Sequence, residues 1–181
     1  MTRSWQSAVV LAGLFMLASC SHQPDQAAQE PGFYGWQMTA KVAINTPDNA
    51  GTGYASFSAT PALFELSISG PFGTAQTRAK CTQFQCSVSS SNEDERIHPI
   101  VDGRINMLPD LPLPIAYLPQ WLMGDISEQT PTSMGWQAEI NQWQTLSERT
   151  VPRALTLSYD DEYRIKILIT SWRPLSAAET L

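Results

Sequence analysis

From Gly35 onward, apolar side chains recur at every second position, in short runs separated by turn residues. Trp36, Met38, Ala40, Val42 and Ile44 alternate with mostly polar partners before Pro47-Asp48-Asn49 turns the chain. Ala55 and Phe57 share one side of a run from Gly53 to Ala59, which Thr60-Pro61 ends, and Phe64, Leu66 and Ile68 alternate next. Further on, Trp136, Ala138 and Ile140 alternate, with Trp143 beyond them. Leu155, Leu157 and Tyr159 precede an Asp160-Asp161-Glu162 turn, and Tyr163, Ile165, Ile167 and Ile169 oppose Arg164 and Lys166 up to Trp172. A period of two places successive side chains on opposite faces, so each run reads as a half-buried strand. Strands this short and this closely spaced predict an antiparallel meander rather than a helix bundle.

Several segments interrupt the alternation. Gly70-Pro71-Phe72-Gly73 reads as a tight bend with Phe72 at its tip, where a polar residue is expected. Cys81 and Cys86 flank Thr82-Gln83-Phe84-Gln85. A two-residue hairpin loop at Gln83-Phe84 would set the two thiols opposite each other, within disulfide reach; the alternative is a pair of ordinary buried thiols. The spacing is not CxxC. Ser87 to Glu95 reads as a solvated loop ending in Glu93-Asp94-Glu95, and Asp102 as the cap of a short helix bearing Ile105 and Leu108. In the run from Leu111 to Gly124, Pro114 and Pro119 each open a helical turn. Ile115, Leu118 and Leu122 form one stripe, and Gly124 is the stop. Tyr117, Trp121 and Met123 make this helix, Pro114 to Met123, apolar nearly all round, so it must bury most of its surface. Sheet, short helices and sheet again predict one curled sheet, closed or half closed, with the helix capping one face. The apolar space inside is either filled by side chains or left open for a greasy ligand.

The first residues set the compartment. Arg3 precedes an apolar run from Ala8 to Ala18, too short to span a bilayer as a helix, and the run ends in Leu17-Ala18-Ser19-Cys20. This resembles the bacterial lipobox, which implies cleavage after residue 19 and acylation of Cys20. Ser21, standing where Asp would signal inner-membrane retention, implies delivery to the outer membrane. Ser21 to Gly32 is rich in Gln, Ala and Pro, as a tether would be. The expected organisation is a signal peptide over 1–19, a lipidated tether over 20–34, one β domain over 35–173 and a tail over 174–181. The net charge of −6, which becomes −7 without residues 1–19, argues against a nucleic-acid binder. Two histidines and three cysteines leave little material for a metal cluster, and no phosphate loop or GxSxG elbow is present. His22 falls in the tether and His98 stands beside Pro99 without a nucleophile in view, so no enzyme and no cofactor are expected.

The lipobox, the strand opening at Trp36, the Gly70-Pro71-Phe72-Gly73 loop, the segment Leu113 to Gly124 and Arg164-Ile165-Lys166-Ile167 followed by Trp172 together resemble the LolB family. The resemblance implies a mainly β fold: a half-open antiparallel β-barrel of about eleven strands with short helices forming a lid over an apolar cavity. It implies an outer-membrane lipoprotein, facing the periplasm, that accepts lipoproteins by their acyl chains from the periplasmic carrier LolA. It would then insert them into the inner leaflet without ATP. The candidate lining of cavity and lid is Trp36, Phe57, Phe64, Leu66, Ile115, Leu118, Trp121, Leu122, Trp136 and Ile140. The loop Gly70, Pro71, Phe72 and Gly73 is expected to touch outer-membrane phospholipid through Phe72. The acidic charge would complement a basic rim on the carrier, and a monomer is expected. Two features depart from the family pattern: the segment between this loop and the helix is shortened, and the Cys81/Cys86 pair is additional. The other readings carried are a lipocalin-like binder of fatty acids or phospholipids and a structural assembly lipoprotein with a filled core.

Overall fold

The computed structural model describes residues 34–48, 50–108, 111–126 and 135–176. The signal segment, Cys20, Ser21, most of the expected tether and the Ser127 to Ser133 loop lie outside these residues. The first meander comprises β1 (Gly35–Asn45), β2 (Ala50–Ala59), β3 (Phe64–Ser69), β4 (Thr77–Cys81), β5 (Gln85–Ser90) and β6 (Glu93–Pro99). A small hairpin of β7 (Ile105–Leu108) and β8 (Leu111–Leu113) leads into α1 (Leu118–Leu122). A second meander follows, β9 (Trp136–Leu146), β10 (Arg149–Tyr159) and β11 (Tyr163–Leu175).

The two meanders are joined by antiparallel pairing of β1 with β11. The result is one nine-stranded sheet in the order β6-β5-β4-β3-β2-β1-β11-β10-β9. Its edges, β6 and β9, do not pair with each other, so the curled sheet is a half-open barrel. Edge β6 carries Glu93, Asp94, Glu95 and Arg96, all exposed. Charges on an edge deter pairing with another chain.

Strand parity builds the core. One row across the sheet runs Ala79, Leu66, Phe57, Met38, Trp172, and another runs Val42, Ile167, Leu155, Ile140. All but Ile140 are buried in a single cluster drawn from residues 36 to 172. Burying each large member stabilises the fold by about 1.5–3 kcal/mol before the entropy of ordering it is subtracted.

The structure corrects five local expectations. The segment from Ser87 to Glu95 is not a loop: Ser87–Ser90 end β5, Ser91-Asn92 turn, and Glu93-Asp94-Glu95 start β6. Asp102 caps no helix: Asp102 and Gly103 both have positive φ, 51° and 75°, and Val101 and Arg104 exchange backbone hydrogen bonds at 3.0 Å. Asp-Gly with both residues left-handed is a two-residue hairpin turn, and Ile105–Leu108 is a strand. The helix expected from Pro114 to Met123 is regular only over Leu118–Leu122, with turns on either side. β10 begins at Arg149, not near Leu155, because Pro152 sits at a register shift of the ladder, where its missing N–H is tolerated. β11 continues to Leu175, where it pairs with Gly35.

Cys81 and Cys86 are a register pair at the β4–β5 turn and are joined by a disulfide, Cα to Cα 4.0 Å. Thr82 N–H donates to the Gln85 carbonyl across the loop, at 2.9 Å. So short a ring removes little entropy from the unfolded chain, about 2 kcal/mol. Replacing both cysteines by Ala is expected to lower the unfolding free energy by about that much. Urea denaturation of the two proteins checks this, and a loss of twice that size would show that the bridge holds more than its own hairpin.

Candidate functional site

The lid is built from residues that cannot lie in water. From Pro114 the chain makes a turn, with Tyr117 N–H and Leu118 N–H both donating to the Pro114 carbonyl. Pro119 lies in the first turn of α1, where its fixed φ suits a helix start. Ile115, Leu118, Trp121 and Leu122 point into the sheet and are buried, while Tyr117 stacks on Trp121 with ring centroids 6.0 Å apart. Three contacts strap the lid down. Ala116 N–H donates to the Gly103 carbonyl at 3.1 Å, and Trp136 Nε1 on β9 donates to the Pro112 carbonyl at 2.6 Å. At the far end Gly124, with φ 91°, lies against the Trp143 ring; a side chain there would collide with the indole.

Of the ten expected lining residues, Trp36, Phe57, Phe64, Leu66, Ile115, Leu118, Trp121, Leu122 and Trp136 are buried in one cluster. Ile140 is only partly buried and packs against it. The lid's own side chains therefore occupy the interior of the curled sheet. Met38, Val151 and Pro152 are also fully buried there. Met38 was legible from its alternation with Trp36, whereas Pro152 hid its own strand. Two indole N–H groups, on Trp121 and Trp172, are buried without a hydrogen-bond partner. An unsatisfied buried donor costs about 1–3 kcal/mol. Trp121, on the lid itself, thus adds a penalty to the closed state that the Trp136 strap offsets.

Among the described residues, one open space lies at the rim of the lid and another on the outer face of the sheet. A crevice of about 390 Å³ separates Ile115, Ala116, Pro119 and Gln120 of the lid from the β2–β3 turn and the disulfide hairpin. The Gly70-Pro71-Phe72-Gly73 loop projects between β3 and β4, and Phe72 is 100% exposed. The side chain does not fold back onto the hairpin. Gly70 N–H donates to the Thr74 carbonyl at 2.7 Å, and the Thr74 hydroxyl donates to the Pro71 carbonyl at 2.9 Å. Phe72 adopts φ 64°, a left-handed conformation rare for a bulky residue. A strained backbone held by a closed ring of hydrogen bonds thus presents one aromatic ring wholly to the surroundings.

An unclosed antiparallel sheet, filled by a short apolar lid and bearing a rigid aromatic tip, places the molecule in the class of half-open β-barrels with a lidded apolar interior. A family model described as outer membrane lipoprotein LolB matches residues 34–172, and the chain belongs to that family. It is similar to the outer-membrane lipoprotein LolB of Shewanella loihica, 24% identical over 93% of this chain and 85% of the relative. The Shewanella oneidensis protein of that name is 24% identical, over 99% and 94%. That of Pseudomonas fluorescens is 20% identical, over 79% and 76%. Among solved structures, a LolA superfamily protein from Nitrosomonas europaea covers 81% of this chain and 89% of its own, with TM-score 0.45 and 5% identity. As a member of its family the chain is a lipid-anchored outer-membrane lipoprotein facing the periplasm.

The buried indoles of Trp136, on β9, and Trp121, on the lid, differ in one respect that mutation isolates. Trp136→Phe deletes a satisfied donor and leaves the Pro112 carbonyl unpaired, so it is expected to destabilise the protein by about 1–3 kcal/mol. Trp121→Phe makes a similar change in volume but removes an unpaired N–H, and is expected to stay within about 1 kcal/mol of the parent. Paired urea titrations check the difference, and equal losses would refute the strap.

Proposed function

We propose that this protein is an acceptor of lipoproteins: it takes their acyl chains from the carrier LolA and releases them into the inner leaflet of the outer membrane. It carries no catalytic role. Exposing acyl chains to water costs about 0.8 kcal/mol per CH₂, so a lipoprotein crossing the periplasm needs an apolar shelter at every stage. The lid from Pro114 to Met123 vacates the interior, and the residues it leaves behind, among them Trp36, Phe57, Phe64 and Leu66, receive the chains. The crevice between lid and disulfide hairpin is the entry. Unpartnered Trp121, on the lid itself, supports this reading, because displacement of the lid frees its indole N–H from the interior. The sequence contains no phosphate-binding loop, and in this reading transfer runs downhill without ATP, from a weaker apolar site to a stronger one and on to lipid. Acylated Cys20 anchors the domain, Ser21 directs it to the outer membrane, and the residues up to Tyr34 give it reach.

The observation that carries the proposal is Phe72, an apolar ring fully exposed on a strained, hydrogen-bonded loop. An aromatic tip of this kind suits the membrane interface. A second reading, an assembly lipoprotein with a permanently filled core, draws on the lid side chains that occupy the interior.

A transfer assay separates the two. Carrier loaded with labelled lipoprotein is mixed with this protein, without nucleotide, and movement of the label is followed first to the protein and then to vesicles. The proposal expects both steps. Phe72→Glu is expected to leave melting and acceptance unchanged and to reduce delivery to vesicles at least tenfold, since a carboxylate at the tip resists entry into lipid. Loss of acceptance together with delivery would reject the tip role. No acceptance by the unmodified protein would favour the filled-core reading.

A further inference from the structure

We infer that the outer face of the central strands is a docking surface for anionic phospholipid headgroups, centred on a groove between Lys41 and Lys166; this rests on the reading of Phe72 as the membrane tip. The face follows from strand parity. On β4, β3, β2, β1 and β11, which are consecutive in the sheet, the positions turned away from the core include Lys41, Arg78, Arg164 and Lys166. Among the described residues none of these four has an acidic partner. Glu65, the acid on these strands, is held by Lys80 at 3.3 Å; Glu139 on β9 lies beyond Thr156, and Asp160, Asp161 and Glu162 lie in the turn before Arg164, at the end of the face away from Lys41. In a chain of net charge −6, this face is a local excess of positive charge.

The groove gives that charge a shape. It holds about 530 Å³ and is walled by Lys41, Tyr54, Thr156, Lys166 and Leu168. Lys41 pairs with Leu168 and Ala43 with Lys166, which makes the two lysines diagonal neighbours, about 7–8 Å apart at the backbone. Small residues, Ala43 and Thr52, lie on the floor. Two ammonium groups at that spacing repel unless an anion sits between them. A phosphodiester supplies that anion, and Tyr54 and Leu168, both exposed, supply apolar walls for its glycerol. The groove also reaches Pro71, the residue before Phe72, so headgroup site and tip are continuous.

The test uses the chain from Ser21, which keeps every described element of the fold and has no acyl anchor. Its co-flotation is measured with vesicles of phosphatidylethanolamine, with and without phosphatidylglycerol. Phosphatidylglycerol is expected to strengthen binding, and high salt to remove the gain. Lys41→Gln/Lys166→Gln is expected to weaken binding to the phosphatidylglycerol vesicles roughly 30-fold, the combined effect of two cations near an anionic surface. Binding to phosphatidylethanolamine alone stays unchanged. Arg96→Gln/Arg104→Gln removes the same charge elsewhere and is expected to change little. The inference is overturned if the lysine variant keeps its phosphatidylglycerol dependence, or if the arginine variant loses as much. Phe72→Glu tests the tip separately, since its loss would fall on both vesicle types. A lysine effect without a Phe72 effect would retain the headgroup surface and reject the tip.

Discussion

Everything in this molecule depends on the pairing of its first and last strands. β1 and β11 lie at opposite ends of the described chain, yet their ladder runs from Gly35 with Leu175 to Asn45 with Arg164. Without it there would be two separate meanders, each with one face that could not be buried. With it, rows of apolar side chains continue across the seam, Phe57 to Met38 to Trp172 and Val42 to Ile167 to Leu155. The ladder closes a very long loop, so its entropic cost must be met by the burial that this continuity permits. A register shift at Thr39/Ala40 lets both halves keep their parity while the sheet bends.

A sheet curled this way encloses more apolar space than its own strands fill. The remainder is taken by a lid that is not part of the sheet. Five helical residues cannot be stable alone, because nucleation consumes most of what so few hydrogen bonds return. The lid's order is therefore borrowed from the interior it plugs and from the straps to Gly103 and Trp136. The strongest apolar contacts in the lid are thus made by the segment with the weakest intrinsic structure. Such a segment can exchange its place with another apolar occupant at low cost, provided that occupant buries similar surface.

The strands with clean alternation were legible from the residues, and so were the thiol pair across Thr82 to Gln85 and the apolar Pro114–Met123 segment. What was not legible shares a physical cause: local chemistry that suits two structures. Asp102 is as good a helix cap as it is a turn residue, and only Gly103 beside it, with the same backbone sign, decides for the turn. Pro152 reads as a strand breaker, yet a register shift accommodates it. Glu93-Asp94-Glu95 is as soluble on an edge strand as in a loop, so charge could not distinguish them. Of the ten expected interior residues, strand parity accounts for the burial of Trp36, Phe57, Phe64, Leu66 and Trp136, while Ile115, Leu118, Trp121 and Leu122 are buried by the apolar stripe of the lid and Ile140 is partly buried beside them. Which carbonyl Trp136 would bond, and that Trp121 and Trp172 would bond none, depend on distant contacts that no local pattern encodes.

Parity also explains how one thin sheet serves two solvents. On β1, β2 and β11 the buried positions are apolar, while the outer face mixes Lys41, Arg164 and Lys166 with polar residues and the exposed Tyr54 and Leu168, so a greasy inner face and a cationic outer face are separated by one backbone layer. A one-residue slip would exchange them, placing Lys41 and Lys166 inside and Val42 and Ile167 outside. The cost of burying two ammonium groups makes that slip prohibitive. The charges on the outer face therefore fix the register that keeps the interior apolar, and the fully exposed Phe72 is a residue the parity rule does not place. It stands on a turn, outside the alternation, where only the Gly70–Thr74 ring of hydrogen bonds holds it out.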